Sequence, residues 1–226
     1  MPEKSNQTFI TQDGSSSLIS SKFGEAYHSR YGALEESRHV FIDAGLDHLL
    51  SIGSQTLNVL EIGFGTGLNA VLTLIATRTS SAQLNYSCIE AYPISIEEAA
   101  LLNYPKLLDI KDHEFLQLHD DNWEKEIQIS KNFSFTKHHC KFEDFETKDS
   151  FDLIYFDAFA PSIQAHLWES PFLERIYKMC SDNAILVTYC AKGSFKRALK
   201  QVGFTLESLP GPAKKREMTR AIKNVE

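Results

Sequence analysis

Two different spacings of apolar residues take turns along most of this chain. LNVLEIG (57–63) is a nearly continuous apolar run closed by an acid and a glycine, which predicts a strand buried on both faces. The next stretch, GLNAVLTLIATRT (67–79), brings Leu68, Val71, Leu72 and Ile75 to one side at helical spacing. The exchange then repeats, with a strand at LNYSCIEA (84–91), a helix at ISIEEAALLN (94–103) and a strongly apolar strand at FDLIYFDAF (151–159). A helix follows that Ser170 can cap with Pro171 in its first turn, apolar at Leu173, Ile176, Tyr177 and Cys180. AILVTYC (184–190) predicts another strand, and the helix from Ser194 buries Phe195, Ala198, Leu199 and Val202 before stopping at Gly203. FTLESL (204–209) and REMTRAI (216–222) close the chain as strands joined by GPAKK. Ahead of all this, residues 35–50 read as helix and the first 20 as a hairpin or irregular arm turning at Asp13-Gly14. Residues 106–140 show no legible period.

Alternation of this kind predicts a parallel sheet covered on both faces, with ligands held outside the carboxyl ends of the strands. The glycines after residue 62, Glu90 and Asp157 all fall at such ends. The expected organisation is one domain: residues 1–50 as an arm and helix packed on a Rossmann-like core of residues 51–226.

Composition narrows the class. Apolar residues make up 42% of the chain and charged residues 23%, as in a soluble globular protein. There is no signal-like segment and no apolar run of membrane-spanning length, and Cys88, Cys140, Cys180 and Cys190 form no C-x-x-C pair. A cytoplasmic protein with reduced thiols is expected. The net charge of −7 is uneven: from Ala191 onward nine Lys/Arg face three acids, so a basic end follows an acidic body. Such a split is an electrostatic footprint for an anionic partner, or simply a solvated terminus.

The chemistry begins at EIGFGTGLN (61–69). A phosphate loop needs a Gly-Lys-[Ser/Thr] ending, which is absent, and the third glycine of the dinucleotide fingerprint comes one place early. Glu61 stands just before the glycines, where it opposes a pyrophosphate but suits an ammonium group. Glu90 ends the following strand, the usual place of a carboxylate that grips a ribose. Glu61, Gly63, Gly65, Gly67 and Glu90 together describe a pocket for S-adenosyl-L-methionine, with Phe64 shaping its wall. In FDAFAP (156–161), Asp157 is followed by a loop with a single proline. A carboxylate there suits an aliphatic amine, whose pKa of roughly 10 leaves little free base at neutral pH. His138 and His139, as strand neighbours, point to opposite faces and do not form a joint metal site. Trp168 either stacks on a ligand or packs in the core, and the acidic run 143–152 reads as a solvated loop.

Four stretches, FGEAYHSRYGALEESRHVF (23–41), EIGFGTGLN (61–69), FDAFAP followed by Leu167-Trp168, and GPAKKREM (211–218), fall in the same order as in a known family. The chain resembles the methyltransferase domain of the MnmC family, the bifunctional tRNA 5-methylaminomethyl-2-thiouridine biosynthesis proteins, over most of its length. The resemblance implies a class I methyltransferase: a doubly wound, mostly parallel sheet with an antiparallel C-terminal strand and a small N-terminal arm. It implies methyl transfer to the 5-aminomethyl nitrogen of the wobble uridine of tRNA. Carried over, Tyr27, Ser29 and Asn69 join the cofactor contacts, Asp157 is the base, and Phe159 and Pro161 meet the substrate. Lys214, Lys215 and Arg216 meet phosphate, which fixes register without reading sequence. An acid for the adenine amino group is due in FTKHHCKFEDF (135–145); the simplest alignment puts Lys141 there, and Glu143 or Asp144 serves if the loop differs slightly. Asp144 is the residue assigned. No second glycine fingerprint follows, so a separate enzyme is expected to supply the aminomethyl precursor, and no membrane partner is expected. The competing readings are methylation of a small-molecule amine by the same fold, a non-catalytic tRNA- or nucleoside-binding module, and, weakest, a nicotinamide oxidoreductase.

Overall fold

The computed structural model describes residues 5–225. β1 (Gln7–Ile10) and β2 (Ser16–Ile19) form the antiparallel hairpin expected around Asp13-Gly14. A continuous helical segment follows: α1 (Ala33–Ser37), a nine-residue π-helical stretch (Arg38–Leu46) and α2 (Asp47–Ser51). The predicted helix is therefore present, but its middle is wound more loosely than an α-helix, a form seldom longer than one turn.

Eight strands make one sheet: β3 (Thr56–Ile62), β4 (Gln83–Ile89), β5 (Ile127–Ser130), β6 (Phe133–His138), β7 (Phe151–Phe156), β8 (Cys180–Thr188), β9 (Thr205–Pro210) and β10 (Glu217–Ile222). Their order is β5-β6-β4-β3-β7-β8-β10-β9. β6, β4, β3, β7 and β8 are parallel neighbours. β5 pairs antiparallel at one edge, and β10 inserts antiparallel between β8 and β9 at the other. The chain runs outward from β3 to β6 and then returns to β7, so the strand order reverses beside β3. That reversal is where such sheets open a crevice.

Strand periodicity sorts the core into two layers. Leu153 and Tyr155 of β7 join Val59, Leu57 and the Val40–Leu46 segment on one face. Ile154 and Phe156 join Leu60, Ile62, Leu173 and Phe195 on the other. α3 (Leu68–Thr77) covers the first face with Leu68, Val71 and Leu72, as its spacing predicts. α7 (Ser170–Met179) and α8 (Gly193–Gln201) cover the second. Ser170 is not the cap of α7: Glu169 holds that position in extended backbone, Ser170 is the first helical residue, and its hydroxyl faces Gln201 at 3.3 Å.

The predicted helix at 94–103 is split into α4 (Ile96–Ala100) and α5 (Tyr104–Leu107), with Pro105 opening the second. Residues 106–140 also hold α6 (Asp112–Leu116), a 3-10 turn (Gln117–His119), β5 and β6. Lys137 sits in β6 with almost no exposure, its ammonium on the Asp120 carbonyl and 4.7 Å over the Trp123 ring. A buried lysine in a strand obscures the apolar pattern from which a strand is read. No helix among the described residues is long and apolar enough to cross a membrane.

Candidate active site

A cavity of about 580 Å³ opens at the carboxyl ends of β3, β4 and β7. Gly63, Phe64, Gly65, Asn69, Glu90, Asp157, Phe159, Tyr27, Ser29 and Lys215 line it, so most of the residues singled out from the sequence meet there. Gly63 has φ +92, and a Cβ on it would lie 2.6 Å from the Asp157 carbonyl oxygen. Only glycine permits that approach of the β3 and β7 ends. Gly67 does not face the cavity: it starts α3 at φ +73, and a Cβ there would meet His119 Nε2 at 2.7 Å. Its expected ligand contact is thereby replaced by a packing one.

Glu61 also departs from expectation. It shares the parity of Leu57 and Val59, so its side chain points beneath α3, is fully buried and does not line the cavity. Asn69 Nδ2 donates to Glu61 Oε1 and to Asp157 Oδ2, both at 2.8 Å, and Tyr86 Oη donates to Glu61 Oε2 at 2.9 Å. Burial, with Asp157 nearby, pushes the Glu61 carboxyl well above the usual range. With its amide nitrogen held by two carboxyls, Asn69 leaves its buried Oδ1 without a partner. Glu90 is held at the tip of β4 by N–H groups of Gly65 (2.9 Å, to Oε2) and Tyr92 (2.8 Å, to Oε1). Burial raises its pKa while these bonds oppose the rise.

Across the cavity, burial raises the pKa of Asp157 to about 7; the Asn69 bond lowers it, Glu36 raises it further and Lys215 lowers it. The loop beyond is braced from inside: Tyr189 Oη donates to the Ala158 carbonyl at 2.8 Å, Trp168 Nε1 to the Phe159 carbonyl at 2.9 Å, and Phe159 N–H to Gln164 Oε1 at 3.0 Å. Both carbonyls are thus partly engaged, and the Asp157 carboxylate lines the cavity beside them. Trp168 is a core residue, buried against Phe156 and Phe195. Pro161 is not among the lining residues, whereas Ala160 and Ser162 are.

The basic triplet divides. The Gly211 N–H donates to the Arg216 carbonyl and the Lys215 N–H to the Pro212 carbonyl across the 211–216 loop, and Lys215 points inward, where its Nζ meets Glu36 Oε2 at 2.5 Å. Lys214 lies 4.6 Å over the Tyr31 ring, and Arg216 is exposed. Where an acid for the adenine amino group is expected, Lys141, Glu143 and Asp144 are divided between the cavity and the outside. Phe142–Asp144 is a 3-10 turn, whose consecutive side chains diverge by about 120°. Lys141 and Glu143 line the cavity and Asp144 does not; Glu143 Oε1 pairs with His166 Nε2 at 2.9 Å.

Among the lining residues that sequence reasoning missed are Glu36, Tyr189 and His28. Glu36 and Tyr189 are ordinary residues until α1 and the end of β8 bring them to Asp157. His28 lies between the noted Tyr27 and Ser29; its Nδ1 is 2.9 Å from Ser17 Oγ, and burial lowers its pKa to about 4.

A strand order of this kind, a glycine turn after β3 and a carboxylate ending β4 define a nucleoside-binding α/β fold. Residues 111–224 match the family of S-adenosyl-L-methionine-dependent methyltransferases, and the chain belongs to it. More narrowly, it is similar to the tRNA 5-methylaminomethyl-2-thiouridine biosynthesis bifunctional protein MnmC of Leptospira borgpetersenii, with 30% identity over 212 residues (88% of this chain, 32% of that protein). It is also similar to the protein of that name from Aromatoleum aromaticum, with 28% identity over 235 residues (97% and 36%). The chain spans about a third of the length of the curated relatives it matches. Among solved structures it is similar to MnmC2 from Aquifex aeolicus, at 24% identity and a TM-score of 0.77, covering 100% of this chain and 72% of that one. That likeness is one of fold.

The residues fit the family's cofactor. The orphaned Asn69 Oδ1 is a ready acceptor for an ammonium group, and Glu90 offers its remaining lone pairs toward a diol. When bound, S-adenosyl-L-methionine supplies a methyl group activated by a sulfonium.

Proposed function

We propose that this protein methylates the 5-aminomethyl nitrogen of (2-thio)uridine at the wobble position of tRNA, giving the 5-methylaminomethyl nucleoside. The observation that carries this reading is Asp157: a half-buried carboxylate with a pKa of about 7 that lines the cavity and is bonded by Asn69. An alkylammonium needs a group that binds its charge and accepts its proton, and a base works best when its pKa is near the working pH. The names of the similar relatives, which concern tRNA 5-methylaminomethyl-2-thiouridine, support the same acceptor.

In this reading Asn69, Gly63 and Gly65 hold the methionine end of the cofactor, with Tyr27 and Ser29 beside it. Glu90 grips the ribose, and Glu143 accepts from the adenine amino group. Phe159 contacts the acceptor base, and Asp157 takes the amine's proton. Most of the acceleration comes from holding the nitrogen in line with the methyl group. Lys214 and Arg216 meet tRNA phosphates outside the cavity. Residues 1–50 act with the core as one catalytic unit in the cytoplasm, and another active site supplies the aminomethyl group. The test is transfer of labelled methyl to tRNA from cells lacking the gene, followed by nucleoside mass spectrometry. Label in 5-methylaminomethyluridine is expected; label absent from that nucleoside, with the cofactor bound, overturns the proposal.

A further inference from the structure

A cavity that accepts one modified base must distinguish it from others, and Asp157 alone recognises only the amine. Glu36 and Lys215 come from α1 and the 211–216 loop, 179 positions apart, and meet on the wall beside Asp157. The Glu36 side chain is 10% exposed and that of Lys215 38%, so the carboxylate lies deep and the ammonium nearer the mouth. Each retains hydrogen-bonding capacity. Glu36 accepts from Lys215 and, at 3.3 Å, from the Ser29 N–H, out of roughly four lone-pair positions. Lys215 has three donors, directs one at Glu36 and rests 4.3 Å over the Tyr189 ring. An ion pair with one partner more than a third exposed contributes little stability, so packing does not account for it. What it offers the cavity is an acceptor and a donor side by side.

Resting on the tRNA reading above, we propose that Glu36 and Lys215 read the acceptor base, Glu36 accepting the N3–H of a uracil and Lys215 donating to its C4 carbonyl. Cytosine presents the reverse pattern, a lone pair at N3 and an amino group at C4, and so sets acceptor against acceptor and donor against donor. Reading an extruded base by this edge is how enzymes that modify a base identify it. Mismatches in a cavity shielded from water cost more than in solvent.

The test uses the full chain and anticodon stem-loop RNAs carrying a 5-aminomethyl group at the wobble position on uridine, on cytidine or on 3-methyluridine. Single-turnover transfer by the wild-type protein should favour uridine over each of the others by at least about 10-fold. Glu36→Gln, whose amide can donate to cytosine N3, should narrow the uridine-to-cytidine ratio by about 5-fold or more while binding S-adenosylhomocysteine as before. Equal rates on the three RNAs, or an unchanged ratio in Glu36→Gln, overturn the inference. The 3-methyluridine comparison uses only the wild-type protein and decides the question if the variant does not fold. No transfer to any of these RNAs, with S-adenosylhomocysteine bound, removes the tRNA reading itself and this inference with it.

Discussion

At one end of the cavity Gly63, Gly65, Asn69 and Glu90 come from a single β3–α3–β4 unit; at the other, Glu36, Asp157, Tyr189 and Lys215 come from four separate segments. The first end works largely through the main chain. Gly65 and Tyr92 N–H groups hold Glu90, and Gly63 allows β3 to touch the Asp157 backbone. The second end works through side chains that clasp across the sheet, Lys215 to Glu36 and Tyr189 to the Ala158 carbonyl. A ligand common to a whole family can be met by backbone geometry, whereas an acceptor particular to one enzyme calls for side chains drawn from wherever the fold brings them. Asn69 joins the two ends, because its amide contacts both Glu61 and Asp157.

Asp157→Asn separates the ends most sharply. Turnover should fall by about 10²–10⁴-fold while affinity for S-adenosylhomocysteine stays within about 2-fold. With Asp157 as the proposed base and a pKa of about 7, kcat/KM should rise with pH between about 6 and 8 in the wild type. That limb should vanish in the variant; a pH–rate profile with the limb intact would remove Asp157 from its role.

Gly63→Ala attacks the other end. The positive φ and the 2.6 Å approach to backbone combine to a cost on the order of 3 kcal/mol, or roughly 6–12 °C in Tm. Gly65→Ala, whose new Cβ meets only the Tyr27 ring at 3.0 Å, should cost less. Equal melting temperatures for the two variants would show that the strand contact at Gly63 is unimportant. Glu90→Gln should weaken cofactor binding by about 10-fold, read by calorimetry, with near-normal turnover at saturating cofactor. A large loss of turnover there would mean that the two ends are not independent.

The smallest effect is thermal. The folded-state pKa of Asp157 is raised, so the folded protein holds its proton more tightly than the unfolded chain, and stability falls as pH climbs from about 4 to about 7. Three pKa units amount to about 4 kcal/mol for a fully buried group; discounted to about 1 kcal/mol for the solvent exposure of Asp157, the loss that Asp157→Asn escapes should raise melting by about 2–4 °C at pH 8, with no gain at pH 4. An equal gain at both pH values would assign the effect to something other than charge.

The legible part of the site followed the same division. Gly63, Gly65, Asn69 and Glu90 could be found because strand-turn-helix punctuation places them at fixed offsets from apolar runs. Asp157 could be found because it ends the most apolar strand of the chain. Glu61 and Gly67 were drawn into the pocket by that same adjacency, yet one turns beneath α3 and the other packs on His119. Where an acid for adenine was expected, a 3-10 turn that separates Glu143 from Asp144 by a third of a rotation cannot be seen in a run of letters.

What the sequence by itself determined is the layered α/β architecture, the family and the ends of the strands where chemistry occurs. Those depend on periodicity and on local turn residues, which act over a few neighbours. Only the tertiary structure decided that β10 inserts between β8 and β9, that Lys215 turns inward while Lys214 and Arg216 stay outside, and that Glu36 reaches Asp157. Such pairings depend on which distant surfaces bury one another and on the low dielectric that follows, and neither is a property of any short stretch of chain.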